Sequence, residues 1–289
     1  MKHISYSSLV LLATGICTSG AASSQTLTAT RTASPPKLDG ATDDAAWKDA
    51  PELRLEAEGR AGSAKGKKVA VTLKAAYHDQ YVYFLLRWQD ATEDQTHRSY
   101  VWNDEKKTYE AGPDREDNAA LSFPIRGKFT ANMLSGGDDL WDVWHWKAQR
   151  TGPAGYAMDR THVFTTEKPS DKAKEYDAKN GKKIWIARPE DKGDSVTKEN
   201  PAPKDRQATP PAHYEAVKPS GSAADIRTGQ SYKDAWWTVE FARKLNTANA
   251  DDAQFTVPDT VSMGVAVFDK SEHDNHYTTG PVTLELSGK

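Results

Sequence analysis

Cysteine is almost missing from this 289-residue chain. The one cysteine, Cys17, lies in the N-terminal apolar run. Beyond that run the chain can form neither a disulfide nor a thiolate metal site. No apolar run reaches the length of a bilayer span; Leu9–Ile16 is too short. No excess of one charge exists either. With 38 basic and 41 acidic residues the formal net charge is −3, so there is no global basic field for nucleic acid or anionic lipid. The sequence contains no GxSxG, no Walker loop, no HExxH and no carboxylate pair in a glycosidase context. Helical periodicity is scarce, βαβ units are absent, and no repeat recurs at solenoid spacing.

What is present begins with residues 1–24, which read as a secretory signal. Lys2 supplies a basic start, Leu9–Ile16 the apolar run, and Gly20-Ala21-Ala22 the small residues of a cleavage site. Ile16 is too bulky for the position before a lipoprotein cysteine. The reading implies a periplasmic or secreted protein with no transmembrane segment in the mature chain. Residues 25–37 are rich in Thr, Ala and Pro and read as an extended leader. One domain is expected over 38–289.

Within that domain, Leu38–Pro51 opens with an Asp39-Gly40 turn. A short helical turn from Asp43, capped by its acids, places Trp47 against the core. Lys68–Trp88 alternates as two strands bent at His78-Asp79-Gln80. Asn118–Pro124 reads as a strand and Arg98–Arg115 as loop. Residues 166–233 are dominated by Lys, Pro, Asp, Gly and Ser, with Ile184–Ala187 as the one apolar patch. They read as a loop-rich, partly mobile insertion. Strands return at Ala235–Leu245, with Trp237, Val239 and Phe241 on one face, then at Val261–Asp269 and Tyr277–Leu286. This pattern calls for an all-β fold, an antiparallel β-sandwich with short helices.

The densest chemistry lies in Asp138–Asp159, DDLWDVWHWKAQRTGPAGYAMD. Trp141, Trp144 and Trp146 flank His145 and Lys147, as the wall of a ligand pocket would. In a strand, Trp144 and Trp146 share one face while His145 and Lys147 share the other. The tryptophans line a pocket or plug the sandwich; His145 is a ligand or a structural histidine. Asp138, Asp139 and Asp142 offer oxygens of the kind Ca2+ takes, but without EF-hand spacing. Met133 precedes Gly136-Gly137, where backbone can approach a flat group closely.

LDGATDDAAW, VTLKAAYHDQYVYFLLRW, DVWHWKAQRTGPAGYAMD, WTVEFARKLNT and MGVAVFDKSEHDNHYTTGPVTLEL together resemble the ethylbenzene dehydrogenase-related family. This is the haem-binding domain similar to the gamma subunits of ethylbenzene and dimethylsulfide dehydrogenases. The opening motif is also shared with carbohydrate-binding sandwiches. The resemblance implies a sandwich similar to the carbohydrate-binding-module-9 and DOMON types, holding one non-covalent b-type haem. It implies an electron relay rather than an enzyme in its own right. The redox partner would be a molybdoenzyme with iron–sulfur subunits, or a periplasmic cytochrome. It further implies a Met sulfur and a Lys or His nitrogen on the iron. Met133 is the candidate sulfur. His276, Lys270 and His273 are the candidate nitrogens near the C-terminus, with His145 as a further one. Lys147 and Arg150 are candidates for the propionates, and Trp144 and Trp146 for the wall. Some relatives carry an added c-type motif near Met133; with no Cys there, this chain must hold any haem by ligands and packing alone. The alternatives are a sugar-binding module and a haem-less structural member of the family.

Overall fold

The computed structural model describes residues 25–127, 129–130, 132–135, 137–178, 180–270 and 276–288. In chain order the elements are β1 (Gln25–Arg31), α1 (Ala45–Asp49), β2 (Leu53–Gly59), β3 (Lys68–His78), β4 (Tyr81–Gln89), β5 (Tyr100–Asn103), β6 (Thr108–Ala111) and β7 (Asn118–Arg126). Then come β8 (Leu140–Lys147), β9 (Met158–Thr165), β10 (Lys174–Asp177), β11 (Lys183–Ala187), β12 (Thr197–Glu199) and β13 (Tyr214–Ala216). The chain closes with β14 (Arg227–Lys233), β15 (Trp236–Lys244), β16 (Asp259–Phe268), β17 (Tyr277–Thr278) and β18 (Val282–Leu286). The β3–β4 hairpin turns at Asp79-Gln80, where Asp79 takes a positive φ of 49°, a conformation Asp tolerates in tight turns.

The long sheet runs β10-β11-β9-β8-β7-β16-β17-β2-β3-β4-β15-β14. β18 pairs with β16 and β1, and β1 pairs with β3, so β16-β18-β1-β3-β2-β17 forms a closed ring. The ring joins two layers, β11-β9-β8-β7-β16 and β3-β4-β15-β14. Alternate residues of both point inward and meet as aromatic pairs. Trp146 of β8 packs on Trp237 of β15 at 5.0 Å and on Trp88 of β4 at 5.9 Å. Phe84 of β4 meets Phe123 of β7 at 5.7 Å and Trp144 at 5.6 Å. Each such pair contributes about 0.5–1.5 kcal/mol beyond the area it buries.

Four expectations need correction. The first half of the supposed leader is β1, laid parallel to β18 and β3. Its buried Leu27 and Ala29 are core residues, which a Thr-rich stretch conceals. Arg98–Arg115 contains the β5–β6 hairpin. The 166–233 stretch contributes β10, β11 and β14 to the main sheet, because Ile184 and Ile186 cover apolar surface on β9's side. Tyr277–Leu286 is not one strand: Gly280-Pro281 divides β17 from β18.

The outer face of β15 carries a buried carboxylate, Glu240. Trp47 of α1 donates its Nε1–H to Glu240 Oε1 at 2.7 Å. The backbone N–H groups of Asp39 and Gly40 donate to Oε2 at 2.9 and 2.7 Å. Asp44, expected to cap this helix, makes no side-chain cap and instead accepts from Lys37 N–H. Glu240→Ala leaves three donors without an acceptor. At about 1 kcal/mol or more per buried unsatisfied group, urea unfolding should show a loss of about 3 kcal/mol or more. Trp47→Phe removes one donor and leaves two in place, but also gives up indole packing; it should lose less.

Candidate cofactor site

Strand β8 is covered on both faces, and its alternation separates two environments. Asp142, Trp144 and Trp146 face the sandwich core, where all three are fully buried. Trp141, Val143, His145 and Lys147 face the other way. Trp144 and Trp146 are therefore core residues and line nothing on the outer side. Trp141 is the outer tryptophan, packed against Phe129 at 4.9 Å and Phe164 at 4.4 Å. Asp138 is exposed while Asp142 points into the core, so Asp138, Asp139 and Asp142 do not make one metal site.

Register fixes what surrounds His145. Across β7 it faces Ala120, and across β9 it faces Met158. Beyond Ala120 lies Ala266 of β16, and beside that pair Ser122 faces Gly264. These small side chains make a shallow floor. At Gly264 a Cβ would stand 2.0 Å from the Phe129 ring, so only glycine allows this contact. Met133 and Leu134 join Phe129 over this floor, packed on the apolar cluster of Trp141, Val143, Phe164, Ile184 and Ile186. On the other side the rings of His145, Phe268 and His276 stack in a row, with centroids 5.5 and 4.9 Å apart. The Met133 thioether and the imidazoles of His145 and His276 thus share one face of the sheet with Met158 and His162.

The electrostatics suit an uncharged nitrogen donor and an anion. Burial first, then Lys147 and Arg160, holds the His145 ring well below the ordinary histidine range. Its Nε2 is buried with no hydrogen-bond partner. A neutral imidazole with an uncommitted nitrogen is the form that ligates metals. His162, on the same face of β9, is lowered in the same way by burial, Arg188 and Arg160. Lys147 is 5% exposed, and burial with Arg160 and Arg150 nearby pushes its ammonium well down. Its Nζ donates to Met158 Sδ at 3.3 Å, and among the described residues no carboxylate lies within ion-pair distance of it. Arg160 also reaches Met158 Sδ and pairs with Glu190 at 3.3 Å. Arg150, a propionate candidate in the sequence, pairs with the buried Glu116. Lys270 is half exposed, its Nζ 3.3 Å from Asp94. His273 lies outside the described residues. Phe129, Arg160, His162, Gly264 and Phe268 were not singled out from sequence. The signal for two of them is the alternation Met158, Arg160, His162, Phe164 along β9.

These features define a class: an all-β sandwich carrying soft and imidazole donors, with basic side chains beside them, on the outer face of one layer. The chain belongs to the ethylbenzene dehydrogenase family, whose sequence model matches residues 44–279. No curated protein matches it significantly. Two solved structures of a family 9 carbohydrate-binding module from Caldicellulosiruptor kristjanssonii align with it, one in complex with cellotriose and one with glucose. They cover 91% of this chain and 94% and 96% of their own, at 11% and 10% identity and TM-scores of 0.38 and 0.37. Likeness at that level says nothing about ligands. Among the described residues no helix is long and apolar enough to cross a membrane.

The depressed histidines set an acid-stability slope. A histidine protonates near pH 6.5 in the unfolded chain but not in the fold. Below about pH 6.5 the unfolded state therefore binds more protons, and stability falls as pH falls. Each such histidine contributes up to about 1.4 kcal/mol per pH unit. His145→Gln should lower the slope by up to that amount, read from urea midpoints of the cofactor-free protein.

Proposed function

We propose that this chain is an exported electron-transfer subunit of an oxidoreductase complex. It would hold one non-covalent b-type haem on the outer face of β8. The observation that carries this reading is the gathering of Met133, His145 and His276 on one sheet face beside Lys147 and Arg160. The donor set fits the group: a soft sulfur, neutral imidazole nitrogen, an apolar cover and the basic side chains Lys147 and Arg160. Family membership supports a part in a redox complex. When bound, haem supplies one-electron exchange at iron.

The remaining work falls to the chain's own side chains. Met133 from the cover and His276 from the end of the Phe268 stack would hold the haem iron. A thioether–imidazole pair favours a raised potential relative to two nitrogens, which suits an electron acceptor. His145 stays neutral behind Phe268. Lys147 and Arg160 offer positive charge to carboxylates, Lys147 regaining its proton when an anion arrives. Phe129, Leu134 and Trp141 exclude water from that face. The partner is proposed as a molybdoenzyme with iron–sulfur subunits or a periplasmic cytochrome. A sugar-stacking role finds no support in the tryptophans: six of the nine are buried and none is exposed.

The purified protein, reconstituted with haem, should show a b-type Soret and α band in reduced-minus-oxidised spectra. Their absence refutes the proposal. Met133→Ala and His276→Ala should each shift the α band or convert the iron to high spin. A shift with His145→Ala and none with His276→Ala would move the nitrogen ligand to His145.

A further inference from the structure

On the inner side of the same layer lies a second polar cluster, separate from the proposed haem site. Asp142 of β8, Asp159 of β9 and Asp252 in the β15–β16 connection are 0%, 1% and 2% exposed. Each brings a carboxylate oxygen within 4.8 Å of the other two. Register explains the meeting: Asp159 lies opposite Trp144 and Thr161 opposite Asp142, so their side chains share the inward face. One guanidinium is present. Arg243 Nη1 donates to Asp142 Oδ2 and, at 3.1 Å, to Asp252 Oδ1, while Nη2 donates to the Ala253 carbonyl. The ring of Trp144 lies 4.7 Å beneath it. Thr247 Oγ1–H serves the second oxygen of Asp252, and Ala253 N–H donates to Asp142 Oδ2 at 3.0 Å.

These donors leave the cluster short of positive charge. Both oxygens of Asp159 are buried without a hydrogen-bond partner, and so are Asp142 Oδ1 and Asp191 Oδ2. Asp191 adjoins the group: its N–H donates to the Asp159 carbonyl at 3.2 Å and its Oδ1 accepts from Thr161 Oγ1 at 3.2 Å. Burying a carboxylate with no donor on either oxygen is among the least favourable arrangements a core can hold. Burial and the neighbouring carboxylates accordingly push Asp159 well above the usual carboxylate range. Half-buried Asp225 and Asp251 add negative charge next to Asp252 and Asp191.

We propose that Asp142, Asp159 and Asp252, with Asp191 adjoining, bind a hard divalent cation, Ca2+, inside the sandwich. The donors are all oxygens and include a carboxylate with both atoms uncommitted. Neither thiolate nor imidazole stands among them, which speaks for Ca2+ over zinc or copper. A doubly charged cation together with Arg243 balances the three carboxylates. The site lies across the layer from His145, so it is independent of haem.

The test uses chelator-treated protein without haem. Terbium, a luminescent Ca2+ substitute, should bind at one site with emission sensitised by Trp144, and Ca2+ should displace it. Ca2+ should raise the melting temperature at concentrations where Mg2+ does not. Asp159→Asn should keep the fold by circular dichroism and weaken Ca2+ at least tenfold. If that variant does not fold, Asp191→Asn gives the same reading. Asp138→Asn, on the exposed start of the stretch, should change nothing. Folded wild-type protein with no saturable terbium or Ca2+ response overturns the proposal. So does a foldable Asp159→Asn or Asp191→Asn that responds like wild type. An equal response to Mg2+ overturns the assignment to Ca2+.

Discussion

Trp144 and Trp146 lock β8 against the facing layer, and the outer face takes its positions from that contact. The two indoles are fully buried among Phe84, Trp88, Phe123 and Trp237. With a side-chain period of two, burying these residues obliges His145 and Lys147 to point outward. A slip by one residue would drive an imidazole and an ammonium into the apolar core. The register of β8 is thus held by a penalty of several kcal/mol for each misplaced polar group. The ladders to β7 and β9 pass that register on, so Ala120, Met158, Arg160 and His162 are fixed as well.

The outer face then carries an electrostatic conflict that packing alone does not relieve. Lys147, Arg160 and Arg188 stand near two neutral histidines, with Glu116 and Glu190 as the nearby acids. Met158 Sδ is the acceptor for both Lys147 and Arg160, although a thioether is a weak acceptor. Arg160 also has Glu190 at 3.3 Å, whereas the thioether does little to hold the Lys147 ammonium, which burial disfavours. A ligand with carboxylates would stabilise that ammonium more than the sulfur does. The inner face has the reverse excess, carboxylates beyond what Arg243 neutralises. The two faces of the layer thus carry local charge biases of opposite sign.

The strands with strong alternation were legible in the sequence because their signal is local, whereas β5, β6, β10, β11 and β14 were read as loop. The β3–β4 hairpin, the inward face of β15 and the division of β8 into tryptophan and histidine faces all follow from alternation. β1 was not legible, since Thr and Ala alternate with only Leu27 to mark an inner face. Its role depends on parallel pairing to a strand more than 250 residues away, which no local pattern records. Asp142 and Asp159 were each visible, Asp142 as part of an apparent surface trio. What joined Asp142 instead to Asp159 and Asp252 is three-dimensional: two neighbouring strands and a loop brought beneath one arginine.

The donors on the outer face also differ in how firmly they are held. His145 sits in the middle of a central strand, fixed by ladders on both sides and by the tryptophans behind it. Met133 lies in a loop before β8, and His276 leads into the two-residue strand β17. Loop donors can shift to meet a ligand, whereas a strand donor keeps its register. A haem held by two such donors would demand adjustment on at least one side. Met133 and His276 can both supply it, while the small residues Ala120, Ala266 and Gly264 keep the floor between them level. A floor of larger side chains at these three positions would fill the space above β7 and β16. In the proposed site, the small side chains on β7 and β16 would therefore matter as much as the donors.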